Sequence, residues 1–220
     1  VYYKSPASGA ATLTASATGL TSASLNVTIQ TAGALWWTWV SGINGSGGTA
    51  TYGTKGNFAT TNAPGARTRA GSWQDADGSL WFFGGFNASN YYNDLWKFKP
   101  ATQEWAWISG ASAANAAAVY GVKGVPSTGN QPSARAGVST WRDSSGNLFL
   151  FGGSNATVYF NDLWKFNATT GEWTWLSGLN GSGGAATFGT KSVASVANTP
   201  GARTGAASWQ DASGKFWLFG

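Results

Sequence analysis

The chain has 220 residues and a net charge of +5, with 42% hydrophobic, 15% aromatic and only 10% charged residues. It has no cysteine and no histidine, which excludes disulfides, thiolate nucleophiles, zinc sites built on Cys or His, and imidazole bases. The 13 Lys and Arg are spread along the chain, and no apolar stretch approaches the ~20 residues of a membrane helix, so neither nucleic-acid binding nor membrane insertion is expected.

The 32 glycines, the abundant small residues and the 14 tryptophans predict short strands joined by Gly-rich turns, and no segment carries a helical period. Residues 10–29 alternate apolar and polar around a TGLTS break at 18–22, as the last hairpin of a sandwich domain does. Residues 1–30 are read as that hairpin and 31–35 as a linker.

From Trp37 onward the sequence repeats every 68 residues. Trp37, Trp105 and Trp173 fall in register, as do Arg67, Arg135 and Arg203, then Trp73, Trp141 and Trp209. Tyr52, Tyr120 and Phe188 align, each three residues before a lysine: Lys55, Lys123, Lys191. Within a copy, RAGSWQD (69–75), a DADG turn and SLWFFGG (79–85) predict a hairpin. NDLWKF (93–98), repeated letter for letter at 161–166, predicts a third strand, and EWAWISG (104–110) a fourth. A long Gly-rich segment then leads to the next copy.

The Gly84-Gly85 and Gly152-Gly153 doublets, the NDLWKF strand, and an aromatic seven residues before a tryptophan (Phe98 to Trp105, Phe166 to Trp173) carry a resemblance to kelch-type β-propellers of the galactose-oxidase-like kind. The opening residues resemble the end of a bacterial Ig-like repeat. The resemblance implies an all-β fold: a partial propeller of four-stranded antiparallel blades, forming an open arc, preceded by a hairpin remnant of a sandwich. The propeller part is placed at 36–220, with a closing strand at 36–41, blades at 69–109 and 137–177 and a half blade at 205–220. Kelch repeats run to about 50 residues, so this one carries an extra stretch between its fourth strand and the next first strand. A propeller closes with about four to eight blades, so the parent protein is expected to continue past Gly220 and its remaining blades to be partners of this segment. The family also usually has Tyr where Phe98 and Phe166 stand.

The resemblance implies a non-catalytic binding or scaffold module of a secreted or cell-surface bacterial protein, with a glycan or protein ligand. The copper site of galactose oxidase needs His and Cys, which this chain lacks, so no cofactor or metal is expected here. One alternative is an enzyme whose active site lies in missing blades; another is a purely structural repeat. Strand parity puts the loops between strands two and three, and between strand four and the next strand one, on the same end of the blades, and loops on a rigid scaffold commonly carry function.

Several residues there have two readings. Arg67, Arg135 and Arg203 form either a cationic ring for carboxylate or sulfate groups, or internal pairs that fix the long loops. Tyr52 and Tyr120, with Lys55 and Lys123, either contact ligand or pin the long loop to the blade edge. Tyr91, Tyr92, Tyr159 and Phe160 either stack on sugar rings or cap the neighbouring blade. Asp94 and Asp162 are expected to form local Asx-type turns. Asp75 and Asp77 are read as a hairpin turn rather than an acid–base pair, since Ser145 and Ser213 replace Asp77 in the other copies.

Overall fold

The computed structural model describes residues 2–5, 9–15, 23–29, 36–44 and 47–220. Among them the chain is all β, with no helix, and it divides into two compact units, Val1–Asn44 and Gly45–Gly220.

The first unit holds β1 (Tyr2–Ser5), β2 (Gly9–Ala15), β3 (Ala23–Ile29) and β4 (Trp36–Trp39). β2 and β3 pair antiparallel with Leu13 opposite Leu25, which is the hairpin expected over 10–29. Its TGLTS break and the linker at 31–35 lie outside the described residues. β4 covers the strand expected at 36–41, but its partner is β1, with Tyr2 opposite Trp39. Four residues of Tyr-Tyr-Lys-Ser are too few to display a period of two, so β1 left no pattern to read.

The second unit opens with a sheet of β5 (Gly71–Gln74), β6 (Leu80–Phe83), β9 (Leu95–Lys99) and β10 (Glu104–Ser109), with a small ribbon of β7 (Phe86–Asn87) and β8 (Asn90–Tyr91) between β6 and β9. A second sheet repeats the order with β11 (Ser139–Arg142), β12 (Leu148–Phe151), β13 (Leu163–Asn167) and β14 (Glu172–Ser177). Both are antiparallel meanders, and neither closes on itself. The registers match position for position: Phe83 faces Leu95 and Leu80 faces Phe98 in the first, Phe151 faces Leu163 and Leu148 faces Phe166 in the second. A two-stranded sheet of β15 (Ala207–Gln210) and β16 (Phe216–Phe219) follows.

The third strands are buried on both faces. Leu95, Trp96 and Phe98 have no exposed surface, and neither do Trp164 and Phe166. One cluster runs through both sheets: Trp81 meets Phe166 edge-on at 5.9 Å, and Phe83 meets Trp173 at 5.6 Å. The sheets are also joined by indole hydrogen bonds. Trp73 Nε1–H donates to the carbonyls of Trp141 and Phe149 at 2.8 and 3.1 Å, and Trp141 Nε1–H to those of Trp209 and Trp217 at 3.0 and 3.2 Å. A buried indole N–H needs an acceptor, and here the neighbouring sheet provides it.

The extra stretch of each copy protects a strand edge. Residues 51–63 fold back on themselves, with Thr51 bridged to Ala63, and lay Ala59 against Trp105 on the outer side of β10. Residues 119–131 repeat this, with Ser127 against Trp173 of β14. Buried Asn62 and Asn130 clamp the turn, their side-chain amides donating to the Trp105 carbonyl at 3.0 Å and the Trp173 carbonyl at 3.1 Å. An outer strand left bare is a template for unwanted pairing, and this cover removes it.

Candidate functional site

Asp94 and Asp162 immediately precede the third strands, with both carboxylates buried. An isolated carboxylate there would be very costly. Arg67 offers its two terminal nitrogens to Asp94 at 2.5 and 2.9 Å, while its Nε–H and Nη1–H donate to the carbonyls of Gly65 and Gly84. Tyr52 Oη–H and Trp96 Nε1–H also donate to Asp94, at 2.9 and 2.7 Å. Arg135, Tyr120 and Trp164 make the same contacts with Asp162. The two aspartates therefore gather long-range side-chain donors rather than forming the local Asx turns expected of them.

This arrangement places Arg67 and Arg135 inside the fold, with side chains 8% and 0% exposed, and not at an open mouth. Their guanidinium planes lie over Tyr92 at 4.3 Å and Phe160 at 3.8 Å, so each of those rings is covered on one side by an arginine. Tyr52 and Tyr120 pack between tryptophans, Trp96 and Trp107 for the first, Trp164 and Trp175 for the second. Burial pushes both phenols well above the usual tyrosine range and the adjacent carboxylate pushes further, against the opposing pull of the arginine. Lys55 donates to the Gly110 carbonyl at 3.0 Å and lies over the Trp107 ring, and burial lowers its pKa. Lys123 lies over Trp175. These residues tie the long loop to the fourth strand.

Asp75 and Asp77 occupy the hairpin turn. Asp75 also accepts from Trp81 Nε1–H at 2.8 Å and Lys97 at 2.7 Å, so it links turn, second strand and third strand.

The loops that strand parity put on one end do meet. Asn115 N–H donates to the Tyr91 carbonyl at 2.7 Å, and Tyr91 N–H returns a bond to Asn115 Oδ1 at 2.9 Å. Arg135 N–H donates to the Tyr92 carbonyl at 3.0 Å. Over this junction lies an open groove of about 650 Å³. It is lined by Ser89 and Tyr91, by Asn115, three alanines (116–118), Tyr120 and Ser133, and by Asn155, Ala156, Thr157, Val158, Phe160 and Asn180. None of the lining residues is charged. Tyr91 stacks on Phe86 at 5.3 Å. Exposed Tyr159 does not line it. Arg203, Phe188, Lys191 and Leu218 belong to the third copy, where Phe188 is exposed and, lacking a hydroxyl, has no bond corresponding to that of Tyr52.

Asn115, Ser133 and Asn180 were not singled out by the sequence. One signal for Asn115 was there: positions 47 and 183, in register with it, are glycines at φ 77° and 79°, and Asn115 holds φ 60°. A side chain kept in a glycine conformation has a local reason, and here that reason is its bond to Tyr91.

The chain is thus an all-β protein whose four-stranded antiparallel sheets carry an uncharged groove over the loops at one end. No family model matches it. Among solved structures, "Structure of YjhT" is similar at 18% identity with a TM-score of 0.42; the match covers 66% of this chain and spans 41% of that one.

Proposed function

We propose that the chain is part of a kelch-type β-propeller and serves as a non-catalytic binding module that takes a neutral glycan in the groove. The observation that supports this is the groove's chemistry. Asparagine amides and Ser and Thr hydroxyls line it together with small residues and with Tyr91, itself stacked on Phe86, and no charged side chain lines it. Amides and hydroxyls match the donor and acceptor pattern of sugar hydroxyls, and an aromatic face matches the apolar face of a sugar ring. Two of the three arginines that would have drawn acidic ligands, Arg67 and Arg135, are paired inside the fold. We place the module outside the cell, on a bacterial surface protein, where such ligands are met.

A glycan array of neutral and acidic oligosaccharides tests the reading. Binding to neutral members, insensitive to salt and weakened by Tyr91→Ala and Asn155→Ala, is the expected result. Binding confined to sulfated or sialylated members, or none at all, sinks it and leaves a protein ligand or a purely structural role.

A further inference from the structure

Asn180 is followed by Gly181, and both line the groove. Asn180 is exposed. Among the described residues, neither its side chain nor the Gly181 N–H has a hydrogen-bond partner. The loop is held on either side of them instead. Leu179 N–H donates to Asn161 Oδ1 at 3.1 Å, and Gly183 N–H to the Tyr159 carbonyl at 2.8 Å. Ser112 and Ala113 stand at the same places in the second copy, between the equivalent bonds of Ala111 and Asn115 and ahead of a complete four-stranded sheet. Both are exposed, so the openness of Asn180 belongs to the loop itself.

The other asparagines of the groove are engaged. Asn115 Oδ1 accepts from Tyr91 N–H, and Asn155 Oδ1 from the N–H groups of Thr157 and Val158. Each is followed by alanine, whose β-carbon hinders approach to its own amide nitrogen; glycine has none. A Cβ placed on Gly181 would meet nothing within 4 Å, so no neighbour fills the space that a reaction at this peptide needs.

We propose that Asn180 is a site of self-modification, whose deamidation turns the uncharged groove anionic. The Gly181 amide nitrogen gives its proton to solvent and attacks Asn180 Cγ, closing a succinimide ring. The Cγ–Nδ2 bond breaks, and the amide group takes a proton from water and leaves as ammonia. Holding nucleophile and carbonyl in one short segment replaces a bimolecular encounter with an intramolecular step. Water then opens the ring, at Cγ to leave aspartate or at the main-chain carbonyl to leave isoaspartate. The sum consumes water and releases ammonia, and no oxidant or reductant takes part. Either product carries a carboxylate that is ionised at neutral pH. One consequence rests on the neutral-glycan reading above: a side chain that both donates and accepts becomes one that only accepts, and glycan affinity declines as the protein ages.

The test is incubation of the 220-residue chain at neutral pH, followed over time by tryptic digestion and mass spectrometry. Residues 166–191 form one tryptic peptide, which also holds Asn167, followed by Ala168, as an internal control. Asn167 is engaged, its Oδ1 accepting from Thr169 and Thr170 N–H. Conversion of amide to acid should be about tenfold or more faster at Asn180 than at Asn167, a barrier difference of about 1.4 kcal/mol. It should be no slower in the native chain than in the chain unfolded in guanidinium chloride. Gly181→Ala should suppress it, and the added methyl group meets no atom that would disturb the fold. An Asn180 that survives as long as Asn167 overturns the proposal, as does a native rate far below the unfolded one, or a rate indifferent to Gly181→Ala. The mass result decides the modification whether or not a glycan array gives a ligand. If neutral oligosaccharides bind, their affinity should fall with the modified fraction, and unchanged affinity in a fully converted chain overturns the effect on the groove.

Discussion

Arg135 grips Asp162 with both terminal nitrogens, at 2.5 and 2.9 Å, and neither side chain reaches solvent. Removing one member of such a pair leaves the other as a buried, uncompensated charge. Asp162→Asn should therefore destabilise the second unit by about 3–5 kcal/mol. The double change Arg135→Met/Asp162→Leu should cost less than Asp162→Asn alone, since it removes both charges. Urea unfolding followed by tryptophan fluorescence measures both, and equal losses would show that the pair is not coupled.

Alkaline pH should weaken the fold through Tyr52 and Tyr120. Both phenols have folded pKa values raised by burial and then by the neighbouring aspartate, above the ordinary value of 10.0. Their contribution is full below pH 10, because the proton is held in both states. As pH rises past 10, the unfolded chain ionises while the folded one does not, and stability falls towards the folded pKa. Melting temperatures between pH 8 and 11.5 should show this decline, and Tyr52→Phe/Tyr120→Phe should flatten it. The double variant should also lose about 1 kcal/mol per hydroxyl at neutral pH.

Gly110 sits at φ 83°, and a Cβ there would lie 2.1 Å from the Asn93 carbonyl oxygen, a backbone atom that cannot move aside. Gly171, at φ 72°, has nothing within 4 Å of the same position. Gly171→Ala should cost about 1–2 kcal/mol, the strain of a left-handed residue alone. Gly110→Ala should cost about 3 kcal/mol or more, since clash is added to strain. Comparison of the two urea midpoints separates the contributions.

Asn115 lets conformation and side-chain role be tested apart. Asn115→Gly keeps φ 60° accessible and removes only the bond to Tyr91 N–H. Stability should change by no more than about 0.5 kcal/mol, while the glycan affinity proposed above should fall because the segment carrying Tyr91 is freed. Asn115→Ala should add about 1 kcal/mol of backbone strain. Retained affinity in both variants would mean that Asn115 has no part in shaping the groove.

The strands were legible because their residues alternate over short runs and because the copies align without gaps. Trp96, Phe98 and their counterparts at 164 and 166 could be read as core from spacing alone. Asp94 could not be read in the same way. Its partners lie 27 and 42 residues earlier, at Arg67 and Tyr52, and a residue that begins a strand invites a local explanation. The alignment did hold a clue, since Arg, Tyr and Asp recur together in the first two copies. The groove was legible only in part. Strand parity placed the loops at one end, but which residues line the space depends on how residues 111–136 cross between the sheets. That path is set by backbone bonds such as Ala134 N–H to the Ala116 carbonyl, which have no signature in side-chain pattern.

The indole bonds between sheets run in both directions. Trp73 and Trp141 donate toward the sheet that follows them in sequence, while Trp173 Nε1–H donates back to Ser109 Oγ of the first sheet at 3.1 Å. An indole N–H has no other hydrogen-bonding role, whereas a carbonyl has a second lone pair and tolerates a lost donor better. Stripping away the third sheet thus leaves Trp141 without its acceptors, and stripping away the first leaves Trp173 without its own. Unravelling begun at either side should therefore injure the second sheet, which depends on both of its neighbours.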